Sequence, residues 1–322
     1  MIKDILVMGG SCFIGKKIVN VLLENGYNVY TLNRGKHSGG SKEATNIICD
    51  RNDTKNMKKA LEKYNFDAVI DVSGFNRLQA EILYNSLNMD NIKKFIFISS
   101  SAVYDVDNIR PPYKEDTALG RNCFWGDYGT DKIEAEDFYI GKLKNSDKSL
   151  IILRPPYAYG EDNYVQRESF IFDHICNERP VIIPNDGSTY LHFIYTTDLA
   201  EIIVKLLKRT TGNISVYNVG NKKPVTIREW VESCAMVAGR KVKVIEYDYK
   251  QHNRSERDFF PFYDYDNILD VSKLNEIYDC ETYFIDGLKY AYEWYSRNKE
   301  KIKFSEDIRK NEDEILRELG EN

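Results

Sequence analysis

Tyr128 and Lys132 stand four residues apart, a spacing that on a helix puts both side chains on one face. A phenol is a weak base at neutral pH, with an unperturbed pKa near ~10. An ammonium group one turn away favours the phenolate, which can take the proton of a substrate hydroxyl while a hydride leaves. A neighbouring hydroxyl donor would hold the substrate oxygen, and Ser99-Ser100-Ser101 ends an apolar run upstream. The spacing alone discriminates little in a chain with 23 tyrosines, and Tyr295 and Lys299 share it. Context separates the two pairs, because Tyr128 opens a helical stretch soon after a predicted core strand.

The run Gly9-Gly10-Ser11-Cys12-Phe13-Ile14-Gly15 lies between a first predicted strand and a first predicted helix. Glycines there let the chain turn sharply and let backbone N–H groups face a pyrophosphate at a helix N-terminus. Strand before and helix after is the context that such a loop requires. The second strand ends Leu32-Asn33-Arg34-Gly35. An acid near this place holds a ribose 2′-OH, whereas an arginine suits a 2′-phosphate. Asn33 followed by Arg34 therefore favours NADP and leaves NAD possible.

The elements that must position these residues alternate. Ile5 to Met8, Asn28 to Leu32, Ile47 to Cys49, Ala68 to Val72, Phe95 to Ser99 and Leu150 to Arg154 read as strands, with helices between them, including Tyr128 to Leu143. Such alternation predicts an α/β fold with a doubly wound, Rossmann-type parallel sheet covered on both faces. Beyond Arg154, proline-punctuated short elements predict a smaller, irregular α/β part for substrate. Thr226 and Glu229 have capping-box spacing. We assign 1–155, with a return segment at about 190–222, to nucleotide binding. Residues 156–189 and 223–300 are assigned to substrate, and 301–322 to a charged tail. The expected substrate cleft lies between the two parts.

The glycine run resembles the G-x-x-G-x-x-G loop of extended short-chain dehydrogenases/reductases, the NAD-dependent epimerase/dehydratase family, with Cys12 at the middle glycine. Ser100 to Tyr104 resembles the family's Ser/Thr-x-x-Val-Tyr segment. Arg154 to Gly160 resembles its R-P-x-x-x-Y-G, His192 to Ala200 its F-I-x-x-x-D-L-A, and Tyr217 to Gly220 its Y-N-V-G. The resemblance covers about residues 1–297. It implies a catalytic triad of Ser100, Tyr128 and Lys132. It also implies cofactor contacts from Gly9, Ser11, Cys12, Phe13, Ile14, Gly15, Asn33, Arg34, Asp50, Arg51, Ser73, Gly74, Tyr128, Lys132, Pro155 and Tyr157, with Asp50 on the adenine. It further implies a homodimer through the helix carrying Tyr128.

The implied reaction is NAD(P)-dependent epimerisation or oxidoreduction at a hydroxyl or carbonyl of a sugar nucleotide or related small molecule. Dehydration is disfavoured, since the Asp-Glu of that branch is Ser101-Ala102 here. Tyr157 and Leu191 stand where nucleotide-sugar relatives often carry Asn and Arg, which weakens that substrate class. Arg254 or Arg257 is either a diphosphate contact or a surface charge. A second reading is a non-catalytic NAD(P)-binding regulatory or RNA-binding protein on the same fold.

The net charge of −5 argues against nucleic acid bound by bulk charge. Four histidines and six scattered cysteines with no C-x-x-C give no metal site and read as reduced thiols. His174 and His192 read as structural. No stretch is apolar enough to span a bilayer, and the expected location is cytoplasmic.

Overall fold

The computed structural model describes residues 2–36 and 39–321. The chain divides into two compact units. The first comprises the chain up to Ala158 with Phe193–Lys222 and Leu269–Glu281, and the second comprises Tyr159–His192, Lys223–Ile268 and the chain from Thr282 on.

The first unit is built on a seven-stranded sheet. Numbered along the whole chain, its strands are β1 (Asp4–Met8), β2 (Asn28–Asn33), β3 (Thr45–Ile48), β4 (Ala68–Asp71), β5 (Lys94–Ile98), β6 (Ser149–Arg154) and β11 (Ile214–Asn218). They run in the order β11-β6-β5-β4-β1-β2-β3, and every pairing is parallel. The chain winds outward from β1 in one direction and then returns to β4 to wind in the other. The reversal therefore falls between β1 and β4, where doubly wound sheets bind ligands.

Side-chain alternation along the strands makes two cores. Ile5, Val7, Ile70, Ile96 and Ile98 face α1 (Phe13–Glu24) and α6 (Thr196–Lys208). Leu6, Met8, Val69, Phe95 and Phe97 face α2 (Thr54–Leu61), α3 (Arg77–Ser86) and α4 (Gly126–Leu143). Both faces being covered explains why these strands read as unbroken apolar runs. Short β7 (Tyr157–Tyr159) pairs with β10 (Phe193–Tyr195), and α8 (Ser272–Asn275) completes this unit.

The second unit carries α5 (Glu168–Cys176), α7 (Ile227–Ala238) and α9 (Phe284–Arg297). Around them lie the pairs β8 (Val181–Pro184) with β13 (Val244–Tyr247), and β9 (Tyr190–Leu191) with β12 (Val225–Thr226). Trp230 is its largest fully buried side chain and packs edge-on to Tyr159 and Phe262. Thr226 and Glu229 close the capping box that opens α7.

Residues 301–321 are not a detached tail. Helix α10 (Glu306–Glu318) buries Glu312, Ile315 and Leu316. The His174 ring meets the Phe170 carbonyl through Nδ1 and Glu312 through Nε2, both at 2.8 Å. A carbonyl only accepts, so Nδ1 carries a hydrogen in that contact. The paired charges make this segment read as solvated in the sequence, but two apolar residues and one buried carboxylate fix it.

Candidate nucleotide site

The turn after β1 is set by sterics. A Cβ on Gly15 would lie 2.0 Å from the Gly9 carbonyl oxygen, and one on Gly10 would lie 2.7 Å from Val19. Gly9 adopts φ +92°, a region that side chains disfavour. Cys12, where the resembled loop has its middle glycine, caps α1 in extended conformation without a side-chain cap bond. Phe13 takes the strain instead, at φ +39°.

A cleft of about 270 Å³ opens above this turn. Of the predicted contacts, Gly9, Ser11, Asn33, Arg34, Asp50, Arg51 and Ser73 line it, and Met8, Leu32, Lys36, Cys49, Asn52, Phe75 and Gln79 join them. Cys12, Phe13, Ile14, Gly15, Gly74, Tyr128, Lys132, Pro155 and Tyr157 are outside that lining. Asn33 is committed locally, since its Oδ1 accepts from Gly35 N and its Nδ2 donates to Asn46 Oδ1. Arg34 and Lys36 are exposed.

Asp50 accepts from the backbone and side-chain amides of Asn52. Asn52 Oδ1 accepts from Gln79, whose own Oε1 accepts from Phe75 N. A polar chain thus crosses the cleft to the Phe75 backbone. Arg51 turns inward, placing Nη1 and Nη2 on the two Asp71 oxygens at 2.9 and 3.1 Å and Nη1 also on Ser73 Oγ at 2.8 Å.

Lys132 is 3% exposed, and its Nζ donates to the carbonyls of Gly74 (2.6 Å) and Ile98 (2.8 Å). The ammonium lies 4.9 Å from the Phe97 ring centre and 5.5 Å from that of Phe75. Burial pulls Lys132 down to about 8, against the opposing pull of the Asp71 charge. The half-exposed Phe75 ring sits 6.2 Å from the ring of Tyr128, which also meets Trp125 at 5.8 Å. Trp125 in turn meets buried Tyr157, so aromatic side chains connect the Tyr128 helix start to β7. Ser100 Oγ accepts from Ala102 N at 3.1 Å, capping the short turn that follows β5. Ser101 N donates to the Pro155 carbonyl, joining the ends of β5 and β6.

Other motif residues converge elsewhere. Arg154 grips Glu136 with two hydrogen bonds and reaches Tyr104 Oη, whose own hydrogen goes to Asn218 Oδ1. Tyr104, Arg154 and Asn218 are buried and brace the sheet's end. Arg254 is paired with Glu318 and Glu314, and the Arg257 guanidinium lies over the Tyr263 ring. Lys299 sits 5.4 Å over the ring of Tyr295, so that look-alike pair is a cation–π contact within the second unit. Among the described residues no cluster of His, Cys, Asp and Glu could hold a metal, and no helix is long and apolar enough to cross a membrane.

Parallel sheet, steric glycine turn and polar cleft at the switch point define a Rossmann-type, dinucleotide-binding class of protein. A sequence profile of the NAD-dependent epimerase/dehydratase family matches residues 5–220, and the chain belongs to that family. A chloroplast stem-loop binding protein of 41 kDa from Arabidopsis thaliana is 26% identical over 307 residues, covering 90% of this chain and 78% of that protein. A probable UDP-arabinose 4-epimerase of the same plant is 26% identical over 294 residues, covering 76% and 70%. UDP-glucose 4-epimerase of Thermotoga maritima, solved with UDP-glucose, shares the fold at TM-score 0.77 and 19% identity, covering 91% of this chain and 99% of that one. The Thermus thermophilus enzyme, solved with NAD, does so at TM-score 0.76 and 19% identity, covering 92% and 99%.

Proposed function

We propose that this chain is an NAD(P)-dependent sugar-nucleotide epimerase, or a closely related hydroxyl/carbonyl oxidoreductase, working through Ser100, Tyr128 and Lys132. The observation that carries the reading is Lys132, a buried ammonium fixed between the ends of β4 and β5 on the helix that presents Tyr128. The glycine turn fits a dinucleotide, because Cβ atoms at Gly9, Gly10 and Gly15 would collide with Ser73, with Val19 and Thr31, and with the Gly9 carbonyl, so only glycines let the backbone close this tightly beside the cleft. Bound there, the cofactor would supply a hydride acceptor that can return the hydride.

The residues of the chain do the rest. Tyr128 Oη would take the proton of the substrate hydroxyl and return it. The Lys132 charge favours the phenolate, and the Ser100 hydroxyl, whose hydrogen is not used by its cap to Ala102 N, would donate to the substrate oxygen. Ser101 and Ala102 are buried and offer no acid or base, which supports epimerisation or simple redox over dehydration. Arg34 and Lys36 favour a 2′-phosphate, although structural neighbours carry NAD. Assembly as a homodimer through α4 belongs to the same reading.

Tyr128→Phe removes one oxygen. Interconversion of UDP-glucose or UDP-arabinose with their 4-epimers should fall by about 10² or more, while ADP-ribose binding measured by calorimetry stays within threefold. Full activity in this variant overturns the assignment. The stem-loop binding relative supports a second, non-catalytic reading, and that reading gains if no UDP-sugar or ketone is turned over.

A further inference from the structure

Asp71 ends β4 and is completely buried. A lone buried carboxylate is costly, so what surrounds it must answer its charge. On the cleft side Arg51 grips both of its oxygens, and on the helix side Tyr139 Oη donates to Oδ2 at 2.9 Å. Burial pushes Asp71 up, but the charge and hydrogen bonds of Arg51, then Tyr139, hold it below the ordinary carboxylate range. Tyr139 lies seven residues after Lys132 on α4, so both reach toward β4 from one face.

The connection to Lys132 also runs through the backbone. A Cβ on Gly74 would sit 2.4 Å from Asp71 Oδ2, so the carboxylate packs directly on this glycine. Gly74 passes its carbonyl to Lys132 Nζ. The groups acting on Lys132 are Asp71 from β4, Arg51 from the end of β3, and Glu136 from α4. Glu136 is spent on Arg154 of β6. Tyr128 and Tyr139 complete the ionisable groups of this face of α4. Arg51 is 11% exposed where it lines the cleft, and its buried Nε has no partner among the described residues. The cleft-lining Ser73, bonded to Arg51, packs against Gly9 of the phosphate turn.

We propose that Asp71 is a positioning residue for Lys132: its buried carboxylate clamps Arg51 on the nucleotide side and Tyr139 on the helix side, and so ties the charge of Lys132 to what occupies the cleft. The proposal rests on the reading that the cleft takes the anionic half of a dinucleotide. An anionic group of such a ligand set against the cleft-lining part of Arg51 draws on the guanidinium and leaves more of the Asp71 field for Lys132. Binding then favours the ammonium form and takes up a proton where free Lys132 is partly neutral.

The test uses ADP-ribose, which cannot undergo hydride transfer, with calorimetry from pH 6.5 to 9.5 in buffers of differing ionisation enthalpy. The wild type should take up protons on binding near pH 8, and Lys132→Met should abolish the uptake. Asp71→Asn keeps the shape and loses the charge, and should move the uptake maximum down by about one pH unit, the change that follows from losing roughly 1.4 kcal/mol of charge interaction. Tyr139→Phe loses the tether and keeps the charge, and should leave the maximum in place while weakening binding no more than about threefold. Should Asp71→Asn fail to fold, the double variant Arg51→Met/Asp71→Asn removes both members of the pair and should lose the ligand-linked proton uptake, and uptake that persists in it overturns the proposal.

A folded Asp71→Asn protein with an unmoved maximum overturns the proposal. So does a Tyr139→Phe protein that shifts as far as Asp71→Asn. These readouts need no turnover, so absence of epimerase activity would strike the proposed reaction and leave this inference standing.

Discussion

Two buried arginine–carboxylate pairs brace the first unit, and they differ in what lies beyond them. Arg154 and Glu136 are 4% and 1% exposed, and Arg154 also reaches Tyr104 and the Glu115 carbonyl. Arg51 and Asp71 are 11% and 0% exposed, and the arginine lines a cleft. Enclosed on all sides, the first pair can only hold β6 to α4. The second has a face that a ligand can reach, so the same chemistry is available for signalling. A third arginine, Arg34, lines the same cleft but is exposed.

That gradient of enclosure can be broken by experiment. Glu136→Gln leaves Arg154 as an uncompensated buried charge, and urea unfolding should show a loss of about 3–5 kcal/mol with ADP-ribose affinity unchanged per folded molecule. A loss below that of Arg51→Met would invert the comparison. Arg51→Met leaves Asp71 with only Tyr139 and the Lys132 charge and should cost about 3 kcal/mol, the lower end of the range for a broken buried pair. Unlike Glu136→Gln, it should also weaken ADP-ribose binding by roughly tenfold, or about 1.4 kcal/mol. Unchanged affinity would make Arg51 as purely architectural as Arg154. Arg34→Ala should leave stability within about 0.5 kcal/mol. Its effect should appear only as loss of any preference for NADPH over NADH in paired calorimetric titrations, and a wild type that binds NADH at least as tightly sinks the 2′-phosphate role.

The sheet was legible because its strands are buried on both faces, so that Ile5 to Met8 and Phe95 to Ile98 appear as plain apolar runs. The glycine turn was legible because its spacing reflects steric limits on the backbone itself. Asp71, Phe75 and Gln79 were not, since each is an ordinary residue type at a strand or helix boundary. Their importance comes from partners supplied across the fold, such as Arg51, 20 positions from Asp71, and Gly74, 58 positions from Lys132. Ser100 shows the converse, because the hydroxyl singled out by motif is also spent as a cap on the next turn. Within residues 301–321 the helical charges hide Ile315 and Leu316, whose burial depends on where α10 packs.

Gly74 imposes a constraint of another kind. Its missing side chain is the space that the Asp71 carboxylate fills, with barely 2.4 Å between the oxygen and where a methyl carbon would be. The two positions are therefore written together, and D-V-S-G at 71–74 behaves as one word in the sequence. A change at either letter alone leaves a collision or an empty acceptor shell, so single-step mutational routes out of this arrangement pass through a damaged protein. Chains that spell the segment differently should have abandoned the carboxylate and the glycine as a pair, and with them the arginine at the end of β3.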